Sequence, residues 1–355
     1  MPLVLFEHRG VRNLQAGQLS PHPRLNLITG ANASGKTSLL EAIHILSSGK
    51  SFRTNRLERA IQHGEDTLTV FGRLRDKDNE KTLGYQRCGA VREIHIDGEH
   101  EAQLATLAQA LPLQVISPDT HFSFLKHARY RRACIDWGLF HVEPDFYAVW
   151  SRHQRLLKQR NAALKQGQTH MEVWDQPLAN CGEEIHDRRQ RYLLRLQETI
   201  RRHRDHLLPG EEISLHLRSG WRHGQSLAEA LVEDRGRDRE HGYTHSGAHR
   251  ADLEWRLSGQ DARQEASQGQ WKLLTLVLRL AQTEDFVDQT RRDCILLLDD
   301  LPAELDPEHR AMVMSLLVSL PLQLFATTTE PGLLMADGWK DSVVFHVEHG
   351  KVSLK

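Results

Sequence analysis

Cysteine is scarce in this chain, with four residues in 355, and Cys88, Cys134, Cys181 and Cys294 lie far apart with no CxxC pair. That spacing fits free thiols in a reducing cytoplasm better than a disulfide framework or a zinc site. Long apolar runs are missing too. No window approaches 18 consecutive apolar residues, so no membrane span is expected. The opening MPLVLFEHRG lacks the charged start and long apolar core of a secretory signal. Internal repeats and low-complexity tracts are absent. An excess of charge of one sign is also absent, since the formal net charge is −1. This near-neutrality conceals two basic segments, residues 1–60 and 120–210, which leave room for a polyanionic partner, with solvated helix faces as the equal alternative. With 39% hydrophobic residues, the chain is long enough to bury a sizeable core unaided.

The hydrophobic pattern then divides the chain. LVLFEH and LNLIT predict strands, and TSLLEAIHILSS after Lys36 places Leu39, Leu40, Ile43 and Leu46 on one helical face. Residues 66–97 alternate in short pieces between turn residues, which predicts antiparallel strands. LPLQVIS at 111–117 reads as another strand. From 121 to 208 the period changes to three and four, predicting two long helices folded back as a hairpin on either side of KQGQTH. The second, over 172–207, would be about 50 Å long. Its exposed side is expected to carry Arg188, Arg189, Arg191, Arg195, Arg201, Arg202 and Arg204. DCILLLDD, LQLFATTT and SVVFHVEHGKVSL predict further strands, and the charged EDRGRDREHG (233–242) reads as a mobile loop. The expected organisation is a discontinuous α/β domain, 1–120 and 209–355, with a helical insertion at 121–208.

Gly30-Ala31-Asn32-Ala33-Ser34-Gly35-Lys36-Thr37 fits the phosphate-loop pattern G-x-x-x-x-G-K-[ST]. It stands between an apolar strand and an amphipathic helix, the context that gives the pattern its meaning. Small residues let successive backbone N–H groups point at a β-phosphate, and the helix from Lys36 through Ser38 adds its positive end. Lys36 would bridge the β- and γ-phosphates of ATP, and the Thr37 hydroxyl would hold Mg²⁺. A second half of such a site needs acid at the end of a buried strand. ILLLDD supplies Asp299 to reach Mg²⁺ and Asp300 to position water, and carboxylates so placed are costly without a purpose.

Two further stretches narrow the class. ASQGQWKLLTLVLRLA places Ser267, Gly269 and Gln270 before an apolar helix, and AELD ends in Asp306 after the acidic strand. With the phosphate loop, these resemble the ATP-binding-cassette ATPases, whose signature segment caps a nucleotide held by a second subunit. Within that class LNLITGANASGKTSLLEAIHILSSGKSFRT, ARYRRACIDWGLFHVEPDFYAVW, GAHRADL and SQGQWKLLTLVLRLAQ resemble the RecF family of bacterial recombination-mediator ATPases.

The resemblance runs almost end to end. It implies an ATPase head, a mixed sheet around the phosphate-loop core, with an inserted helical lobe. It also implies Mg²⁺-dependent and weak ATP hydrolysis, ATP-dependent homodimerisation on double-stranded DNA and at single-strand/double-strand gap junctions, and work with RecR and RecO to load RecA. A nucleoid-associated cytoplasmic protein without a membrane partner is what it leads one to expect. Arg188, Arg189, Arg191 and Arg195 are the candidate DNA contacts, and Asp306 the residue of the loop after the acidic strand.

The chain departs from the family pattern in places. Ala33 stands where glycine is usual, a modest change if φ there is ordinary. Ala266 replaces the leading Leu of the signature, and Asp300 stands where transporter-type relatives carry Glu. No His follows LFATTT, which leaves Thr328 or Thr329 to sense the γ-phosphate. Arg53 in SFRT is placed either on phosphate or on a neighbouring subunit. His241, His245 and His249 recur every fourth residue as a metal site would, but Gly242 and Gly247 favour solvated loop histidines. Trp137, Phe140 and Trp150 fit a core better than a base-stacking platform. A chromosome-organising ATPase of the SMC type needs far longer heptad arms. A transporter subunit sits poorly with the helical hairpin and the incomplete signature.

Overall fold

The computed structural model describes residues 1–76, 79–168, 170–330, 332, 334 and 342–355. They form two compact units, residues 1–122 with 286–355, and residues 123–285.

The first unit holds a sheet of six strands in the order Lys351–Leu354, Ser342–Glu348, Leu25–Thr29, Leu322–Thr328, Cys294–Leu298, Leu113–Ile116. All but the final hairpin pair run parallel. Every residue of Leu25–Thr29, Cys294–Leu298 and Leu322–Thr328 is buried, which is why these segments read as unbroken apolar runs. Their register aligns Thr29 with Thr328 and Leu298 with Ala326. The carboxyl ends of three strands therefore meet on one edge, where open α/β sheets bind ligands.

A second, antiparallel sheet runs Gly17–Leu19, Leu3–Arg9, Thr67–Asp76, Asn79–Cys88, Val91–Ile96, Glu99–His100. Helix Lys36–Ser48 shares one core with both sheets. Leu39, Leu40, Ile43 and Leu46 pack with Leu3, Phe6 and Val70 on one side and Ile28, Leu297 and Phe325 on the other.

The second unit contains helices Ala128–Val142, Phe146–Lys165 and Glu172–Leu207, and a sheet of Gln260–Asp261, Asp252–Leu257 and Ile213–Arg218. Its far boundary differs from the one expected at 208. Helix Leu227–Glu233 packs Leu227, Ala230 and Leu231 onto Leu178 and Ala179 of the long helix. Arg131 grips Asp252 with two bonds of 2.7 and 2.9 Å. The change of period at 208 marks where a helix stops, whereas the core continues through residue 285.

Residues 233–242 are not a mobile loop. Arg235–His241 is helical, and the buried Asp238 accepts from Arg160 Nη1 at 2.6 Å. Arg160 Nε also donates to Asp175 at 2.8 Å, and Arg235 donates to the other oxygen of Asp175. A guanidinium enclosed this way is tolerated only because acceptors surround it, and losing one partner costs about 3–5 kcal/mol. The charge run reads as solvated in sequence because its counter-charge lies some 80 positions upstream.

Two of the nearby histidines, His245 and His249, serve this packing, while His241 is exposed, as a solvated histidine would be. His245 pairs with Asp238 at 2.7 Å, and His249 contacts the Thr244 carbonyl at 3.1 Å. Trp137, Phe140 and Trp150 are half-buried rather than fully enclosed.

Two buried imidazoles make the fold acid-sensitive. Burial pushes His8 down to about 4. Burial, with the neighbouring His249 and Arg189 charges, pushes His153 down to about 3. An unfolded histidine takes its proton near pH 6.5, whereas these folded ones resist it until far lower. Their contribution is therefore complete above pH 6.5 and is lost as pH falls from 6.5 towards 3–4. Burial also pushes His44 and His249 down to about 4. Urea unfolding at pH 7 and pH 5 should therefore show a loss of at least roughly 3–4 kcal/mol, the share of His8 and His153 alone, in a window above the usual carboxylate titrations. Equal stability at the two pH values would refute this account.

Candidate nucleotide site

Strand Leu25–Thr29 delivers the chain to a tight turn at Gly30, and helix Lys36–Ser48 begins at the first residue after Gly35. Gly30 has φ +149° and touches the Val347 backbone, so a Cβ there would collide with the Val347 carbonyl. Ala33 is in the left-handed region at φ +63°, not the ordinary φ that would make its substitution for glycine modest. The strain at such a residue is about 1–2 kcal/mol.

The loop is braced from outside. Asn13 Nδ2 donates to the Ala33 carbonyl at 3.3 Å and its Oδ1 accepts from Ser38 Oγ at 2.9 Å. The amide N of Gly350 donates to the Ser34 carbonyl at 3.0 Å. Lys36 Nζ lies across its own loop, donating to the carbonyls of Gly30 and Ala31 at 2.8 and 2.9 Å.

The acidic strand closes on this loop. Asp299 follows Cys294–Leu298, and its Oδ1 accepts from Thr37 Oγ1 at 2.9 Å and from Thr327 Oγ1 at 2.8 Å. Burial holds the Asp299 carboxyl above its usual range against the pull of those two hydroxyls, and the charge of Asp300 adds to the rise. Burial lowers Lys36, with Asp300 and Asp299 opposing. Asp300 is exposed, in the left-handed conformation, with its N–H donating to Thr327 Oγ1 at 2.8 Å. A cleft of ≈ 550 Å³ is lined by Lys36, Thr37, Asp299 and Asp300 together with Arg12, Asn13, Asn32, Ala33, Gly35, Ser38, Arg53 and Thr327.

Of the run Thr327–Thr329, Thr327 is the residue that lines this cleft. Thr328 is fully buried and donates to the Glu330 carbonyl, and Thr329 lies beyond the strand. Adjacent strand residues face opposite sides, so only one of two neighbours can reach Asp299. In a run of three threonines the sequence carries no mark of which one does. Nothing in the sequence marks Arg12 and Asn13, because VRNL lies in a connection outside the motif, nor the fully buried Glu41, whose partners Arg12, Ser51 and Arg53 lie off its helix.

Asp306 caps helix Pro307–Ser319, accepting from His309 N at 3.0 Å, and it is exposed. In the second unit, Ser267 and Gln270 form a reciprocal cap at the start of helix Gln268–Thr290. Ser267 Oγ accepts from Gln270 N at 3.2 Å, and Ser267 N donates to Gln270 Oε1 at 2.8 Å. Ser267 and Gly269 are exposed, and a Cβ on Gly269 would meet nothing closer than Ser267 Oγ at 3.8 Å.

The arginine face is largely spoken for. Arg189 is not on an exposed side: it is buried on Asp136 and the Ala248 carbonyl. Arg188 pairs with Glu184 and Glu143, Arg195 with Asp285, Arg201 with Glu198, Arg202 with Glu284 and Arg204 with Asp205. Arg191 is exposed and meets no acceptor among the described residues.

Comparison with known proteins places the chain in a family. Residues 3–353 match the family described as RecF/RecN/SMC N terminal domain. The DNA replication and repair protein RecF of Chromohalobacter salexigens is 41% identical over 360 residues, covering 99% of each chain. That of Pseudomonas aeruginosa is 41% identical over 363 residues, covering 99% of this chain and 98% of the relative. Among solved structures, the recombination mediator protein RecF with an ATP analogue, in the RecFOR pathway, superposes with a TM-score of 0.86 at 25% identity, covering 99% of this chain and 97% of that one. An Smc head bound to the C-winged helix domain of ScpA shares the fold, with a TM-score of 0.60 at 15% identity over 100% of this chain and 97% of that one. A phosphate loop joined to an acidic strand, on a fold and sequence matched from end to end, means that the chain belongs to the RecF family.

Proposed function

We propose that the protein is a DNA replication and repair ATPase that binds ATP in the cleft between Lys36 and Asp300, dimerises head to head on DNA, and hydrolyses ATP slowly to release it. The contact that carries this reading is Thr37 Oγ1 to Asp299 at 2.9 Å, which joins the two halves of a phosphate site separated by 262 positions.

The residues fit Mg²⁺, a hard cation that takes oxygen ligands, and Thr37 and Asp299 would hold it. Bound there, the ion would neutralise charge between the outer phosphates. Lys36 would leave the Gly30 and Ala31 carbonyls for phosphate oxygens. Asp300, whose backbone is pinned by Thr327, would orient the attacking water. Thr327 links Asp299 to Asp300 through one hydroxyl, so it is the residue through which metal and water positions would be coupled.

Ser267 and Gly269 would meet the γ-phosphate held by a partner copy. The open space over Gly269 and the positive end of helix Gln268–Thr290 suit an approaching anion. Duplex DNA and gap junctions are the proposed polyanions, with RecR and RecO as proteins through which RecA is loaded. On the long helix, phosphate contact would begin at Arg191, since Arg188, Arg189 and Arg195 already hold carboxylates. Among the described residues no helix is long and apolar enough to cross a membrane, and we place the protein in the cytoplasm, on the nucleoid.

The test is Ser267→Arg. Gel filtration should give an ATP-dependent dimer for the wild type and a monomer for the variant, while equilibrium ATP binding by the monomer changes less than about threefold, because the cis contacts are untouched. DNA-stimulated hydrolysis should be lost with the dimer. A variant that still dimerises with ATP would place the signature segment outside the interface.

A further inference from the structure

Glu41 is a carboxylate with no exposure at all, on the helix that begins at Lys36. No step of the proposed hydrolysis uses it. Its Oε2 accepts from Arg12 Nε at 2.9 Å and its Oε1 from Arg12 Nη2 at 2.8 Å, a two-pronged pair. Ser51 Oγ donates to Oε1 at 2.5 Å, and Arg53 Nη1 reaches Oε2 at 3.4 Å. Burial would raise this carboxyl, but the bonds from Arg12 and Ser51 and the charges of both arginines bring it below its ordinary value. Arg12 and Arg53 both line the cleft.

One buried carboxylate thus stands between two guanidiniums, so the wall keeps one positive charge in excess. The two arginines are held differently. Arg12 is clamped by both carboxylate oxygens and by the Arg59 carbonyl at 2.6 Å, whereas Arg53 has a single long contact and its side chain is 38% exposed.

We propose that Glu41 is a positioning residue for nucleotide binding: it fixes Arg12 in the cleft wall and keeps Arg53 loosely docked, ready to exchange the carboxylate for a phosphate of the incoming nucleotide. This rests on the ATP-binding reading above. Ser51 supports the arrangement by ordering the approach of Arg53, since its Oγ accepts from the backbone N of Arg53 at 3.0 Å and of Thr54 at 3.1 Å.

The experiment measures ATP affinity and the thermal unfolding midpoint for Glu41→Gln in two backgrounds. In the wild type the substitution should weaken ATP binding about tenfold, the scale of one charge-assisted contact, and lower the midpoint. In a chain carrying Arg12→Gln and Arg53→Gln, the same substitution should change affinity less than about twofold and raise the midpoint, because it then removes a buried charge that has no counter-charge. A tenfold loss that persists without the arginines overturns the proposal, as does an unchanged affinity in the wild-type background.

If Glu41→Gln does not fold, Ser51→Ala replaces it in the same two backgrounds and is read by affinity alone. In the wild-type background it leaves the buried carboxylate paired with both arginines. Lys36→Ala separates the two levels. If it binds ATP normally, the ATP reading fails; if it does not, while the Glu41 effect is independent of the arginines, only the positioning role fails.

Discussion

Lys36→Ala should lower ATP affinity by at least about 100-fold, the loss of two charge-assisted hydrogen bonds to a polyanion in a half-enclosed site. In the free protein the ammonium is parked on the Gly30 and Ala31 carbonyls. Both are neutral acceptors, so a phosphate displaces them with a gain that alanine cannot reproduce. The loop itself should survive, because Asn13, Ser38 and Gly350 go on bracing it when the lysine's two bonds to its carbonyls are lost. Equilibrium titration with a fluorescent ATP analogue measures the loss, and an unfolding midpoint close to that of the wild type confirms the intact loop. Unchanged affinity would remove the phosphate-loop assignment. ATP-driven dimerisation should vanish with the binding.

Asp300→Asn should do the opposite: bind ATP within about threefold of wild type and hydrolyse it about 10²–10⁴-fold more slowly, the usual contribution of a positioned base. Asparagine tolerates the left-handed backbone at this position as well as aspartate does, and it keeps the N–H bond to Thr327. The chain geometry is therefore preserved while the charge is lost. The dimer should persist on DNA in ATP, which single-turnover hydrolysis and gel filtration together would show. Undiminished hydrolysis would assign the water to another residue.

These two expectations rest on features of unequal legibility in the sequence. The parallel strands and the phosphate loop announce themselves, because burial on both faces leaves unbroken apolar runs and close backbone packing leaves glycines. Asp299 and Asp300 follow from the same logic at the end of ILLLDD. The face of Thr327, the clip made by Asn13 and the Glu41 cluster were illegible, since each depends on which side chain points where across strands or turns distant in sequence. The arginine face misled for a related reason. Helical spacing shows that arginines share a side, but not that Asp136, Asp285 and Glu284 wait opposite them. The domain boundary at 208 failed because helical periodicity reports local conformation, while the core is closed by a later sheet and helix.

The strand order has a temporal side. Strand Leu25–Thr29 lies between strands Leu322–Thr328 and Ser342–Glu348, and Thr29 Oγ1 bonds the Phe345 carbonyl 316 positions downstream. A ribosome adding about 5–20 residues per second needs roughly 15–60 s to cover that distance. Until Leu322–Thr328 is made LNLIT is an apolar strand without neighbours, and until Ser342–Glu348 follows one of its edges stays unpaired. Nucleotide cannot template the early fold, and a stalled or truncated product ending before residue 342 should be blind to ATP. ATP binding should therefore be gained only by chains whose synthesis has passed the closing strand, and ATP titration of a chain truncated at residue 341 would check it.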